Sequence, residues 1–423
     1  MNPKMKIERA AILSIGTELT RGEIHNTNVT WLADALSGLG VAVDACETIA
    51  DVPGHISNAL NRLARDHDTV ICTGGLGPTS DDLTSATVAD ALGVPLVRDK
   101  TTLHAIKARY ESRGRHLTAL NSKQADFPRG ASILSNDNGT APGFSVSIGS
   151  SRCFFFPGVP REMTAMFDVH VRPLIEQLRQ GGLWQERLNT YGAGESTIAS
   201  LLQGLEDEYN VVLGYRAHFP EVIVKVLATR RTEEEAKAAA KKCVKKVSEC
   251  LRQYVYSEGN SEMAQVVLEL ARQRDLTLAT AESCTGGLIA KLLTDVAGSS
   301  TSYAGSIIAY SNEVKSKLLG VSESTLKKDG AVSESVVRAM ASGARDQLGT
   351  DLAIATSGIA GPGGGTDTKP VGLVHYAVAT AAGTQAESAV FRGDRERIRL
   401  AAAYAALNCA RRTLLRPITN SDT

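Results

Sequence analysis

Apolar residues recur along this chain in two rhythms. Short, largely apolar runs at residues 10–15, 69–72 and 276–281, the last rich in Thr, and the continuously apolar run 352–355 read as buried strands. After the first of them Val29, Leu32, Ala33 and Leu36 return at helical spacing, and after the third Leu288, Ile289, Leu292, Leu293 and Val296 do the same. A strand at 41–43, a helix at 56–63 and another around Val88, Ala91 and Leu92 complete an alternation of strand and helix, the pattern of a parallel sheet covered by helices. Between 173 and 257 the rhythm changes. A strand at 188–191, a helix at 195–205 and β-rich runs at 211–215 and 222–228 precede a long helix, 232–252, opened by a Thr232/Glu235 capping box. From Met263 the alternation resumes, with strands expected at 306–310, 371–380 and 388–391 and a last helix that places Ile398, Ala402, Ala405 and Cys409 on one face. The expectation is therefore an α/β chain of three domains: a three-layer unit over 1–172, a small α+β unit over 173–257 and a second α/β unit over 258–423.

The chemistry lies in the turns that end these strands. In Thr280-Ala281-Glu282-Ser283-Cys284-Thr285-Gly286-Gly287 a strand gives way to a helix, so hydroxyl and thiol groups lie beside free amides and the positive end of a helix dipole. An ordinary tight turn, in which Gly286 and Gly287 only permit close packing, has the same local pattern. A serine nucleophile needs a base. The segment after 258 has one histidine, His375, in the middle of a strand, whereas Tyr310 and Lys315 follow a strand end and can face the same crevice as Ser283. Such a lysine requires a pKa lowered by burial or nearby positive charge, and the competing reading is an exposed lysine at a helix start. Cys284 is the rival nucleophile. In the N-terminal unit Gly16-Thr17-Glu18, Asn26-Thr27-Asn28 and the loop Gly74-Gly75-Leu76-Gly77-Pro78-Thr79-Ser80-Asp81-Asp82 follow strand ends or open helices. Glycines admit phosphate to backbone amides, and Glu18, Asp81 and Asp82 offer oxygen ligands to a divalent cation. Alternatively Asp81 and Asp82 cap the next helix.

Charge narrows the partners. Lys+Arg and Asp+Glu both number 46, so no global field favours nucleic acid or an acidic membrane. Lys237, Lys241, Lys242, Lys245 and Lys246 line the long helix, but no G-x-x-G loop accompanies them, and a solvated face in a spacer or dimerisation domain is expected. Seven scattered cysteines without a C-x-x-C pair fit reduced thiols in a cytoplasm. No run reaches the roughly 18 apolar residues of a spanning helix.

The N-terminal motifs, together with Phe156-Pro157-Gly158-Val159-Pro160-Arg161-Glu162-Met163, resemble the molybdopterin-binding-like domain of the CinA family. The chain departs from true pterin-binding relatives at Leu76 and at Ser80-Asp81. The resemblance implies a KH-like fold for 173–257. It also implies ADP-ribose pyrophosphatase activity dependent on Mg, Mn or Co, with Gly16, Glu18, Asn26, Asn28, Gly74, Gly75, Gly77 and Ser80 around the nucleotide and Asp81, Asp82 and Glu18 on the metal. Ala281-Glu282-Ser283-Cys284-Thr285-Gly286-Gly287, Ala297-Gly298-Ser299-Ser300, Tyr310-Ser311-Asn312-Glu313, Gly330-Ala331-Val332-Ser333-Glu334, Ser357-Gly358-Ile359-Ala360-Gly361-Pro362 and Gly393-Asp394-Arg395 resemble that family's nicotinamide-nucleotide amidase domain. This second resemblance implies cofactor-free hydrolysis of nicotinamide mononucleotide to nicotinic acid mononucleotide and ammonia. Ser283 would be the nucleophile and Tyr310 and Lys315 the proton-transfer partners. Cys284, Thr285, Gly286, Gly287, Ser357, Gly358, Ile359 and Ala360 would line the substrate, and Arg395 would hold its phosphate. A homodimer is implied as well. The alternative is a non-catalytic pterin- or nucleotide-binding adaptor in competence or DNA-damage response.

Overall fold

The computed structural model describes residues 7–114, 116–179 and 181–416. They form two compact units, one running up to Trp184 and including Thr229–Lys237, the other comprising Gln185–Ala228 and the chain from Ala238 onward.

In the first unit a six-stranded sheet is built from β1 (Arg9–Ile15), β2 (Ala42–Ile49) and β3 (Thr69–Thr73), while β4 (Leu96–Arg98) and β5 (Asp126–Pro128) pair separately. The sheet is completed by β6 (Ser132–Leu134), β7 (Gly143–Ile148) and β8 (Ser151–Phe156), in the order β2-β1-β3-β8-β7-β6. The first four strands are parallel, with Leu13 opposite Cys72, and β7 and β6 extend them antiparallel. Side-chain alternation explains the three layers. Ile12, Ile71, Phe154 and Phe156 pack on one face with Leu32, Leu36, Met163 and Phe167. Leu13, Val70, Cys72 and Phe155 pack on the other with Ile56, Leu60, Leu63 and Val88. Because β1, β3 and β8 are parallel, their following loops, at Gly16, Gly74 and Pro157, open on one edge. Gly74 has φ 103°, and a Cβ there would lie 1.9 Å from the carbonyl oxygen of Ile15, so only glycine lets these two strand ends meet.

The middle sheet has the order β10-β11-β9-β12, from β9 (Gly182–Tyr191), β10 (Val212–His218), β11 (Glu221–Arg230) and β12 (Val255–Glu258). The helix Glu233–Cys250 buries Ala236, Ala240, Cys243, Val244 and Val247 and leaves Lys241, Lys242 and Lys245 exposed. The helix expected over 195–205 is broken into Glu195–Leu201 and Leu205–Tyr209, because Gly204 adopts a left-handed conformation with φ 84°.

The C-terminal sheet contains β13 (Leu278–Glu282), β14 (Tyr303–Ile308), β15 (Leu352–Gly358), β16 (Leu373–Thr380) and β17 (Gly383–Val390), in the order β14-β13-β15-β16-β17. The first three are parallel and the last two antiparallel. Leu278, Ile354, Tyr376 and Val378 face the helices Met263–Arg272 and Arg395–Leu415. The opposite face is rich in alanine, with Ala279, Ala281, Ala353, Ala355, Ala377 and Ala379, and it receives Val336, Val337 and Met340 of the helix Glu334–Leu348. That helix also approaches the helix Asn312–Leu319: a Cβ on Gly343 would lie 2.0 Å from the Leu319 carbonyl oxygen. The connection from β13 leaves toward β14 and that from β15 toward β16, which creates a topological switch point between them. Ser283 and Ser357 stand at that point. Tyr310 lies beyond β14 rather than within it, since Ser311 caps the next helix by accepting from the Val314 amide at 3.3 Å. Among the described residues no helix is long and apolar enough to cross a membrane.

Candidate active site

The turn after β13 is organised by Glu282, whose side chain is fully buried. Its carboxylate accepts the amides of Gly287 at 2.9 Å, Ile289 at 3.1 Å and Ala290 at 2.8 Å. These are the donors that the helix Leu288–Thr294 would otherwise leave open, and an anion at this end also complements the helix dipole. Gly286 and Gly287 turn back through positive φ, 59° and 92°. The chain then folds over so that the amides of Cys284 and Thr285 donate to no oxygen acceptor among the described residues. Both instead lie within hydrogen-bond reach of the Cys284 sulfur, a weak acceptor with which a developing oxyanion would compete, and they draw down a pKa that burial raises. Glu282 was visible in the motif, yet its capping role was not anticipated; an acidic residue just before a glycine-ended helix start is the signal that carries it.

Lys315 is only 1% exposed, and its Nζ stands 3.1 Å from Ser283 Oγ. The same nitrogen donates to the carbonyls of Ala309 at 2.8 Å and Tyr310 at 3.3 Å. Among the described residues no carboxylate is paired with it, and burial lowers its pKa from the usual lysine value. The exposed-lysine alternative is excluded. Cys284 is buried as well, and burial pushes its thiol up to about 12, the opposite of what a thiolate nucleophile requires.

Other residues expected at the site take different parts. Tyr310 is 64% exposed, and its phenol accepts from Arg395 Nη2 at 3.1 Å instead of reaching Ser283. It contributes to Lys315 through its carbonyl alone. Arg395 also donates to the Gly361 carbonyl at 2.6 Å, so one guanidinium joins the loop after β14 to the loop after β15. Ser357 is 1% exposed and donates to the Ala331 carbonyl at 2.7 Å, which ties the end of β15 to the Gly330-Ala331 segment. Gly358 is closely packed, since a Cβ would lie 2.6 Å from Val374 Cγ2. Ile359 donates its amide to Leu373 at 2.9 Å, and Ala360 is buried against Cys284 and Val374. Two supports were not foreseen: Arg399 holds the Thr285 carbonyl through Nη2 at 2.6 Å, and Thr356 Oγ1 lies 2.7 Å from Thr285 Oγ1. His375 stands in register with Ser357 on β16, where burial lowers its pKa.

The first unit has its own cleft of about 420 Å³ at the carboxyl edge of its sheet. Gly16, Glu18, Asn26, Asn28, Gly74, Gly75, Gly77, Asp81 and Asp82 all line it, and Ser80 does not. Asn26 caps the helix Thr27–Gly38 through the Val29 amide, and Asn28 donates to the Gly158 carbonyl at 2.8 Å. Glu162, from the motif that ends at Met163, and Gln124, which lay in no motif, also line it. The Oδ1 of Asn28 and the Oε1 of Gln124 are buried without a hydrogen-bond partner among the described residues. Asp81 and Asp82 do not cap the next helix. Both fold onto Thr79, with Asp82 Oδ2 accepting from its amide at 2.8 Å and its hydroxyl at 2.7 Å. Among the described residues no three His, Cys, Asp or Glu side chains gather closely enough to hold a metal ion. Glu18, Asp81 and Asp82 thus share a cleft but not a coordination sphere.

These features define an α/β protein with one polar cleft at the carboxyl edge of its first sheet and a buried serine–lysine pair at the switch point of its last. Models of known families match the chain in the same order. A probable molybdopterin binding domain matches residues 11–177, the KH domain of damage-inducible protein CinA 185–257, and the CinA C-terminal domain 260–414. A CinA-like protein of Geobacter sulfurreducens is 44% identical over 410 residues, 96% of this chain and 99% of its own. A putative competence-damage inducible protein of Caldicellulosiruptor bescii is 39% identical over 407 residues, with 96% and 99% covered. Among solved structures, competence/damage inducible protein CihA from Agrobacterium tumefaciens is 41% identical and covers 36% of this chain and 96% of its own, with a TM-score of 0.34. The chain belongs to the CinA family, with a molybdopterin-binding-like N-terminal domain, a KH-like middle domain and an α/β C-terminal domain.

Proposed function

We propose that the C-terminal domain is a serine amidase that hydrolyses nicotinamide mononucleotide to nicotinic acid mononucleotide and ammonia. The observation that carries a serine–lysine hydrolase is the 3.1 Å contact between Ser283 Oγ and a buried Lys315 Nζ that has no carboxylate partner among the described residues. The pyridine amide substrate comes from the resemblance of the six motifs. Neutral Lys315 takes the Ser283 proton as Oγ attacks the carboxamide carbon, and the oxyanion is received by the amides of Cys284 and Thr285. Lys315 returns the proton to nitrogen as the C–N bond breaks and ammonia leaves. Water, deprotonated by Lys315, attacks the acyl-enzyme; Oγ recovers a proton as the ester breaks and the carboxylate is released. Arg395, lying at the rim between Tyr310 and Gly361, is suited to the substrate phosphate. The test is ammonia release by the full-length chain and by Ser283→Ala. Loss of roughly a thousandfold or more is expected, and undiminished turnover of the variant would discard the nucleophile.

For the first unit the reading is hydrolysis of ADP-ribose at its diphosphate. Support comes from the glycine-lined cleft at the carboxyl edge of the sheet, where backbone amides can approach a diphosphate. The cleft's carboxylates have the hard-oxygen chemistry of a Mg, Mn or Co site. Since they are not grouped as a ligand set, no step is assigned to a metal. AMP formation from ADP-ribose is expected to survive Ser283→Ala, and persistence of that activity under chelation would remove the metal from the proposal.

A further inference from the structure

Within the second unit a separate cavity of about 500 Å³ lies between the β10–β11 turn and the start of the helix Arg395–Leu415. Its walls are aromatic and basic: Tyr191, Phe219 and Phe391 provide rings, and Arg392 and Arg397 provide guanidinium groups. The Arg397 guanidinium lies over the Phe219 ring at 4.1 Å, while 38% of Phe219 remains exposed. Tyr191 is held by stacking on Tyr404, with centroids 6.2 Å apart. Neither Arg392 nor Arg397 has an ion-pair partner among the described residues, and the nearby acid Asp394 is committed to capping the helix through the Arg397 amide. Glu221, which also lines the cavity, is 6% exposed, accepts the Tyr256 hydroxyl and lies 3.6 Å from His218 Nδ1; among the described residues it forms no ion pair with either arginine. Glu195 also lines the cavity but is exposed.

Two unpaired guanidiniums beside several ring faces, in a space of small-molecule size, are the recognition chemistry of a planar heterocycle bearing an anion. We propose that this cavity is a second ligand site that takes a nucleoside phosphate, its base among Phe219, Phe391 and Tyr191 and its phosphate on Arg392 and Arg397. The site is distinct from the serine–lysine site yet shares its helix. Positions 395 and 399 lie one turn apart on one face and hold Gly361 and Thr285, while 397 and 401 lie on the opposite face and line the cavity. An occupant that grips Arg397 therefore bears on the helix turn that holds the nucleophile loop.

The test is photolabelling of the full-length chain with 8-azido-AMP, followed by peptide mapping. Label is expected in peptides that contain Tyr191, Phe219 or Phe391, competed by AMP. Labelling affinity should fall roughly tenfold or more in Arg397→Ala and in Arg392→Ala, the loss of one charge-assisted contact. The Arg392 side chain is exposed and has no hydrogen-bond partner among the described residues, so its variant remains informative if Arg397→Ala is unstable. Label confined to other peptides, labelling indifferent to both substitutions, or better competition by a short single-stranded RNA than by AMP would each overturn the proposal. Ammonia release is measured separately. Its absence would refute the amidase reading and leave this site standing, and the converse holds.

Discussion

The Arg395 guanidinium donates to the Tyr310 phenol at 3.1 Å, so two residues that the motifs assign to different tasks form one rim element. A phenol engaged in this way steadies a cation at the mouth of the site. Tyr310→Phe, which keeps the ring and loses only this bond, is expected to raise the KM for nicotinamide mononucleotide roughly tenfold with little change in kcat. Steady-state kinetics will show it; a collapse of kcat would return Tyr310 to the proton-transfer role.

Lys315 acts as a base only when neutral. Because burial lowers its pKa, kcat/KM should rise with pH along a limb whose midpoint lies below the ordinary lysine value of about 10.4. Lys315→Met is expected to lose roughly a hundredfold to ten-thousandfold in kcat and to abolish that limb. A pH–rate profile unchanged in shape in the variant would assign the limb to another group.

Glu282 replaces three helix-end hydrogen bonds that water cannot reach. Glu282→Gln retains a single acceptor oxygen and turns an NH2 toward amide donors, and it should destabilise the fold by about 2 kcal/mol or more. A denaturant midpoint equal to wild type would show that the amides find other partners.

Thiol chemistry separates Ser283 from its neighbour. With the Cys284 thiol pushed up to about 12 and buried, iodoacetamide at mild alkaline pH should modify exposed Cys46 first and leave ammonia release intact. Mass mapping that finds Cys284 alkylated in parallel with inactivation would favour the cysteine.

The first unit can be broken alone. Gly74→Ala forces a Cβ to within 1.9 Å of the Ile15 carbonyl at a φ of 103°, so the strand ends must part and ADP-ribose hydrolysis should be lost. Ammonia release by the same variant is the control and is expected to remain near wild type.

Much of this was legible from residue order. Apolar runs and helical spacing marked the parallel strands that bury on both faces, and glycine-rich turns marked their carboxyl ends. The antiparallel strand Ser132–Leu134 left no comparable trace, because three residues set no period, whereas Gly143–Ile148 alternates Phe144, Val146 and Ile148 with Ser145 and Ser147, a period-two signal that continuous apolar runs do not capture. Ser283 and Lys315 could be paired on paper since both follow strand ends, but their contact depends on the order β14-β13-β15, a non-local fact. Local sequence was equally silent on Asp81 and Asp82. Whether an acidic pair caps a helix or closes a loop on Thr79 is settled by backbone direction, which the residue types leave undetermined.

At Gly343 two helices approach until nothing larger than hydrogen fits between the Cα and the Leu319 carbonyl. The helix that ends at Leu319 carries Lys315 one turn earlier, and its amine works across a gap of 3.1 Å. A displacement of about one ångström would take that gap out of hydrogen-bond range. The spacing between Lys315 and Ser283 thus depends on the absence of a side chain at Gly343, a position remote from both groups.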